Sequence, residues 1–111
     1  MIDMFDYDSN LEKTVFQIIS ESWNLDDEEL TERIRFFLLE YITKWFFDNY
    51  NDLVKVKGND IYFSKKFVLN YLYLAIPDKL ESEWYELYVG TKKKNGEEMR
   101  FIYFKPVKEE V

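Results

Sequence analysis

Four consecutive carboxylates, Asp26-Asp27-Glu28-Glu29, are the densest group of chemically capable side chains in this 111-residue chain. Oxygen ligands packed this closely could hold Mg²⁺ or Ca²⁺. The same residues also suit the first turn of a helix, where negative charge meets the positive end of the helix dipole. The second use needs no ion. It also explains the order of types: Asp26 stands at an N-cap position, and Glu29 completes a capping box three residues on. No metal and no cofactor are assigned. The opposite pole is Lys92-Lys93-Lys94, which could contact phosphates or pair with Glu97 and Glu98.

The chemistry that is missing narrows the function. The chain has no histidine and no cysteine. That removes the commonest general base, thiol nucleophiles, zinc fingers and the Ser-His-Asp triad. Three glycines, at 58, 90 and 96, do not make a phosphate-cradling loop. Pro77-Asp78 matches the start of one nuclease motif, but no Glu-x-Lys follows. The expectation is a protein that is not an enzyme.

Charge is divided along the chain. Residues 1–52 hold 13 acids and 4 bases, a net of −9, while residues 53–111 hold 9 acids and 11 bases, a net of +2. A chain at −7 overall repels nucleic acid at long range, so any contact with it must be local. With 47% hydrophobic residues the chain is too apolar for disorder. At 20% aromatic, one small core cannot hide every ring. The first residues, Met1-Ile2-Asp3, are acidic where a signal peptide is basic, and no apolar run is long enough to span a bilayer. The cytoplasm of a cell, or of an infected host, is the expected location, without membrane contact.

The elements that must position these groups follow from spacing. Ser9 and Glu12 form a capping box, so the first helix starts near Ser9, with Leu11, Val15, Ile18 and Ile19 as its inner stripe. The second helix starts after Asp26 and runs to about Tyr50. It is apolar almost all round, as a central helix is. Leu25 and Leu30 form its hydrophobic staple. Gly58-Asn59 turns a hairpin that pairs Val54 with Phe63 and Val56 with Ile61. Ser64 caps a third helix that Pro77 ends. Asn95-Gly96 turns a longer hairpin, pairing Lys94 with Glu97, Val89 with Ile102, Leu87 with Phe104 and Glu86 with Lys105. The expected fold class is α+β, three helices and two hairpins in the order α-α-ββ-α-ββ. The chain forms one domain over 1–111, with frayed ends at 1–8 and 106–111.

Three surfaces could bind. The carboxylates Glu21, Asp26, Asp27, Glu28, Glu29, Glu32 and Glu40 could imitate a phosphate row and occupy the groove of a basic protein. The aromatic strand face, Trp84, Tyr88, Met99, Phe101 and Tyr103, is either covered by a helix or open as an interface, where a homodimer is the simplest outcome. Lys65, Lys66, Lys92, Lys93 and Lys94 could meet nucleic acid. In element order, residues 53–106 resemble a winged-helix domain, which makes Ser64 to Ile76 a recognition helix and the lysine tip a wing. The helix offers no arginine to read guanine. In composition the chain is similar to small anti-defence proteins of phages and mobile elements, anti-CRISPR proteins among them. That resemblance implies a stoichiometric inhibitor or adaptor of a basic, nucleic-acid-handling protein, the leading expectation. The winged-helix-like nucleic-acid binder is the alternative.

Overall fold

Helix capping by Asp26 and Ser64 works as the spacing predicts. The Asp26 carboxylate accepts the Glu29 N–H at 2.8 Å, and the Ser64 hydroxyl accepts the Phe67 N–H at 3.1 Å. In the computed structural model, which describes residues 4–108, these caps open two of four helices. The order is α1 (Met4–Glu21), α2 (Asp27–Trp45), a 3-10 turn (Phe47–Asn49), α3 (Tyr50–Leu53), β1 (Val54–Lys57), β2 (Asp60–Ser64), α4 (Lys65–Tyr71), a second 3-10 turn (Tyr73–Ala75), β3 (Trp84–Lys94) and β4 (Glu97–Pro106). The class is α+β, and the four strands form one antiparallel sheet in the order β1-β2-β3-β4.

Both hairpins have the register that alternation dictates. Val54 pairs with Phe63 and Val56 with Ile61. Leu87 pairs with Phe104, Val89 with Ile102 and Lys94 with Glu97. Gly58, Asn95 and Gly96 adopt the positive φ that such tight turns require. The inner face of the long hairpin buries Tyr85, Leu87, Val89, Ile102 and Phe104. These meet Leu11, Val15, Leu30, Ile34 and Leu38 of the first two helices, and Phe67 and Val68 of α4, in a single core. Val56, expected on the apolar face of the short hairpin, is instead exposed near its tip.

Four helical expectations are corrected. The first helix begins at Met4, and Ser9 lies inside it. The second helix stops at Trp45 rather than near Tyr50, because Phe46 leaves helical geometry (φ −122°, ψ 37°). Its ring then packs on Tyr41 and Tyr71, with centroids 5.7 and 4.7 Å apart. The chain restarts as α3, a fourth helix absent from the expected order, and that turn delivers Leu53 to the core. The helix after Ser64 ends at Tyr71, six residues before Pro77, so proline does not end it. Leu72 adopts φ −130° and ψ 62° as its side chain buries, and Ala75 is buried in the turn that follows. At the termini, residues 1–3 and 109–111 lie outside the described residues. Within them, residues 4–8 are helical, Pro106 pairs with Tyr85, and the Val107 N–H reaches the Trp84 carbonyl.

The two hairpins join over only two residue pairs, Phe63 with Tyr85 and Ser64 with Trp84. Beyond them, among the described residues, the edge of β3 has no partner strand, and α2 takes that place through side chains. The Arg35 Nε–H donates to the Leu87 carbonyl at 2.8 Å, the Thr31 hydroxyl accepts the Val89 N–H at 2.9 Å, and Asp27 accepts the Thr91 hydroxyl at 2.6 Å. Four helical residues rise about 6 Å and two strand residues about 6.6 Å, so positions 27, 31 and 35 keep step with 91, 89 and 87.

Candidate functional site

The seven candidate carboxylates do not act as one group. Asp26 is occupied as the N-cap of α2. Asp27 is occupied by Thr91 and lies 3.6 Å from the Arg100 Nε. That arginine, on the inner face of β4, also donates to the Ser22 carbonyl at 3.1 Å and to the Leu25 carbonyl, clamping the α1–α2 loop. Trp23 of that loop lies over its guanidinium at 5.0 Å. These two aspartates therefore hold the fold. Glu28, Glu29 and Glu32 are exposed.

Glu21 and Glu40 both line an open groove of about 520 Å³ between α1 and α2. Ile18, Phe36 and Phe37 form its apolar lining, and Arg33 enters it with its Nη1 on the Ser22 hydroxyl at 3.0 Å. Phe36 is 58% exposed, an unusual position for a large ring. Residues 29, 32, 36 and 40 recur at helical spacing, so Glu29, Glu32 and Glu40 share one face of α2 with Phe36. A helix expected to be apolar almost all round gives no sign of which ring stays at the surface, and Phe36 does.

The aromatic residues lie on the sheet face away from the core. Trp84, Tyr88, Phe101 and Tyr103 are half-buried, and Met99 is 54% exposed. The Tyr88 and Tyr103 rings stack at 5.6 Å with a 23° tilt, and Phe101 lies 5.6 Å from Tyr103. Cations sit over these rings: Lys55 over Trp84 at 4.6 Å, Lys92 over Phe101 at 4.6 Å, and Lys105 and Arg35 over Tyr88, each at 4.7 Å. Gly90, opposite Phe101, leaves room for that ring. A Cβ there would come within 2.8 Å of the Phe101 Cζ.

Two phenols on this face hold their protons more tightly than usual. Burial raises the Tyr88 pKa, and its hydrogen bond to the Glu86 carboxylate, at 3.0 Å, raises it further, with Arg35 opposing. Tyr62, on the neighbouring strand, is raised by desolvation, then by Asp60 and Glu86. Arg35 stands 4.0 Å from Glu86, so one guanidinium joins the helix, the strand edge and the aromatic face.

The candidate lysines fall into two separated groups. Lys65 and Lys66 open α4 beside Ser64, which pairs with Trp84. Lys92, Lys93 and Lys94 lie eight to ten residues further along β3, roughly 27 to 33 Å away at strand spacing. The structure does not bring them to one surface. The helix proposed for recognition has only seven residues, and Phe67 and Val68 are buried in the core.

Among the described residues no group of three or more Asp and Glu is placed to hold a metal ion, and no helix is long and apolar enough to cross a membrane. No family model, no curated protein and no solved structure matches the chain.

Proposed function

We propose that the chain is a non-catalytic interaction module, an inhibitor or adaptor that binds a basic, nucleic-acid-handling protein through the acidic face of α1 and α2. The observation that carries this reading is Phe36, exposed in the groove that Glu21 and Glu40 also line. Interfaces concentrate their energy in a few aromatic anchors ringed by polar groups. Carboxylates in such a rim select a partner rich in lysine and arginine and speed its approach. The lack of histidine and cysteine favours binding over turnover. Similarity in composition to phage anti-defence proteins is the basis for naming an inhibitor.

The test uses four forms of the chain: wild type, Phe36→Ala, Glu32→Lys and Glu40→Lys. Each is immobilised and exposed to lysate, with bound proteins identified by mass spectrometry. The reading expects basic proteins that elute with salt from the wild type and are lost from all three variants, at unchanged thermal midpoints. Equal capture by wild type and variants would remove it.

A further inference from the structure

The outer sheet face, opposite the one packed on the core, points to a second binding activity that uses none of the residues lining the α1–α2 groove. We propose that it is a stacking platform for single-stranded nucleic acid, with Tyr88, Phe101 and Tyr103 receiving bases and Lys55, Lys92 and Lys105 receiving phosphates.

Three features of the face converge on that ligand. The first is a continuous run of rings, Tyr88–Tyr103–Phe101, at 5.6 Å intervals. Unpaired bases stack on aromatic side chains displayed by open sheets, whereas bases inside a duplex do not present their faces. The second is orientation. Because Gly90 has no side chain, the Phe101 ring reaches across to β3 and occupies the space a Cβ would take, 2.8 Å from its Cζ and 3.0 Å from its Cε1. The third is charge. By strand alternation Lys55, Lys57, Lys92 and Lys105 share this face with only two acids outside the hairpin tip, Asp60 and Glu86. Glu86 is already engaged by the Tyr88 hydroxyl. A chain at −7 overall thus carries a locally positive aromatic surface. The ammonium groups of Lys55, Lys92 and Lys105 lie over ring faces at 4.6 to 4.7 Å, so a base that stacks there displaces them, and their long stems let them turn to the phosphates beside it.

A second copy fits this face less well. A two-fold interface sets each patch against itself, bringing lysines of the same sign together with few carboxylates to offset them.

The experiment is fluorescence anisotropy with labelled oligothymidylate and oligouridylate of about 12 nucleotides, at several salt concentrations. Binding to either is expected at low salt, with duplex DNA of equal length bound more weakly. Three lysine–phosphate contacts give a slope of about −2 for log affinity against log salt. Phe101→Ala and Tyr103→Ala should each weaken binding about tenfold. Lys92→Glu with Lys105→Glu, both at exposed positions, should weaken it and flatten the salt slope even if a ring variant fails to fold. Gly90→Ala should tilt Phe101 and weaken binding, with little change in thermal midpoint, because the clashing atom is the free end of a surface ring. Phe36→Ala should bind the oligonucleotides as wild type does, so the fate of the groove reading is scored separately. No binding at low salt, affinity unchanged by the ring and lysine substitutions, or a preference for duplex would overturn the proposal. So would a wild-type dimer in sedimentation that becomes monomeric with Phe101→Ala, since a second copy would then own the face.

Discussion

The Thr31 hydroxyl accepts the Val89 N–H at 2.9 Å while donating its own proton to the Asp27 carbonyl at 2.6 Å. One side chain thereby satisfies a buried strand amide that has no strand beside it. An uncovered strand edge invites pairing with other chains, and α2 closes part of this one.

Thr31→Val keeps the shape of the side chain and removes the hydroxyl. It strands the Val89 N–H in a buried position, which costs about 1–3 kcal/mol. Thr31→Ser retains donor and acceptor and should recover most of that loss. Urea unfolding of the three proteins measures it, and equal stability of wild type and Thr31→Val would show that the bond contributes nothing.

Acidic residues that look alike in sequence should separate by role. Asp26→Ala removes an N-cap and is expected to cost about 1 kcal/mol. Glu32→Lys lies on the exposed face and should change stability by no more than about 0.5 kcal/mol. Thermal melts distinguish them, and a larger loss for Glu32→Lys than for Asp26→Ala would contradict this division. Charge reversal at Asp26 or Asp27 is therefore a poor probe of binding, because it damages the helix start and the Thr91 and Arg100 contacts.

The tyrosines give a pH dependence of defined sign. The Tyr62 and Tyr88 phenols ionise above the ordinary value of about 10 in the folded protein. The unfolded chain therefore loses these protons first as pH rises. Their contribution to stability is complete below pH about 10 and disappears as pH climbs through the folded values. Ring-labelled NMR titration resolves the two residues. Glu86→Gln removes the charge that helps hold the Tyr88 proton and should shift its pKa downward. An unchanged Tyr88 titration in that variant would show that Glu86 has no such part.

Much of the fold could be read from local signals. Gly58-Asn59 and Asn95-Gly96 fix their turns, and alternation then sets every pair in both hairpins. Asp26 and Ser64 mark their helices by chemistry that acts within three residues. What escaped was non-local. Phe46 turns the chain because Tyr71, far along the sequence, offers it a ring. Arg100 reads as an ordinary strand charge until the α1–α2 loop lies over it. Arg35 and Thr31 gain their roles only once β3 is known to lack a neighbour. At the surface, periodicity marked α2 as apolar but did not say which ring was left over, and Phe36 was.

Because α2 meets β3 by a fixed ratio of four residues to two, chain length is gauged along this seam. One residue added between Asp27 and Arg35 would swing the downstream contacts about 100° around the helix. One added between Leu87 and Thr91 would flip them to the other side of the sheet. The Asn95–Gly96 turn lies beyond the last of these rungs and can lengthen without disturbing them. Sequence drift in this protein should accordingly show as substitution along the seam and as insertion at the hairpin tip.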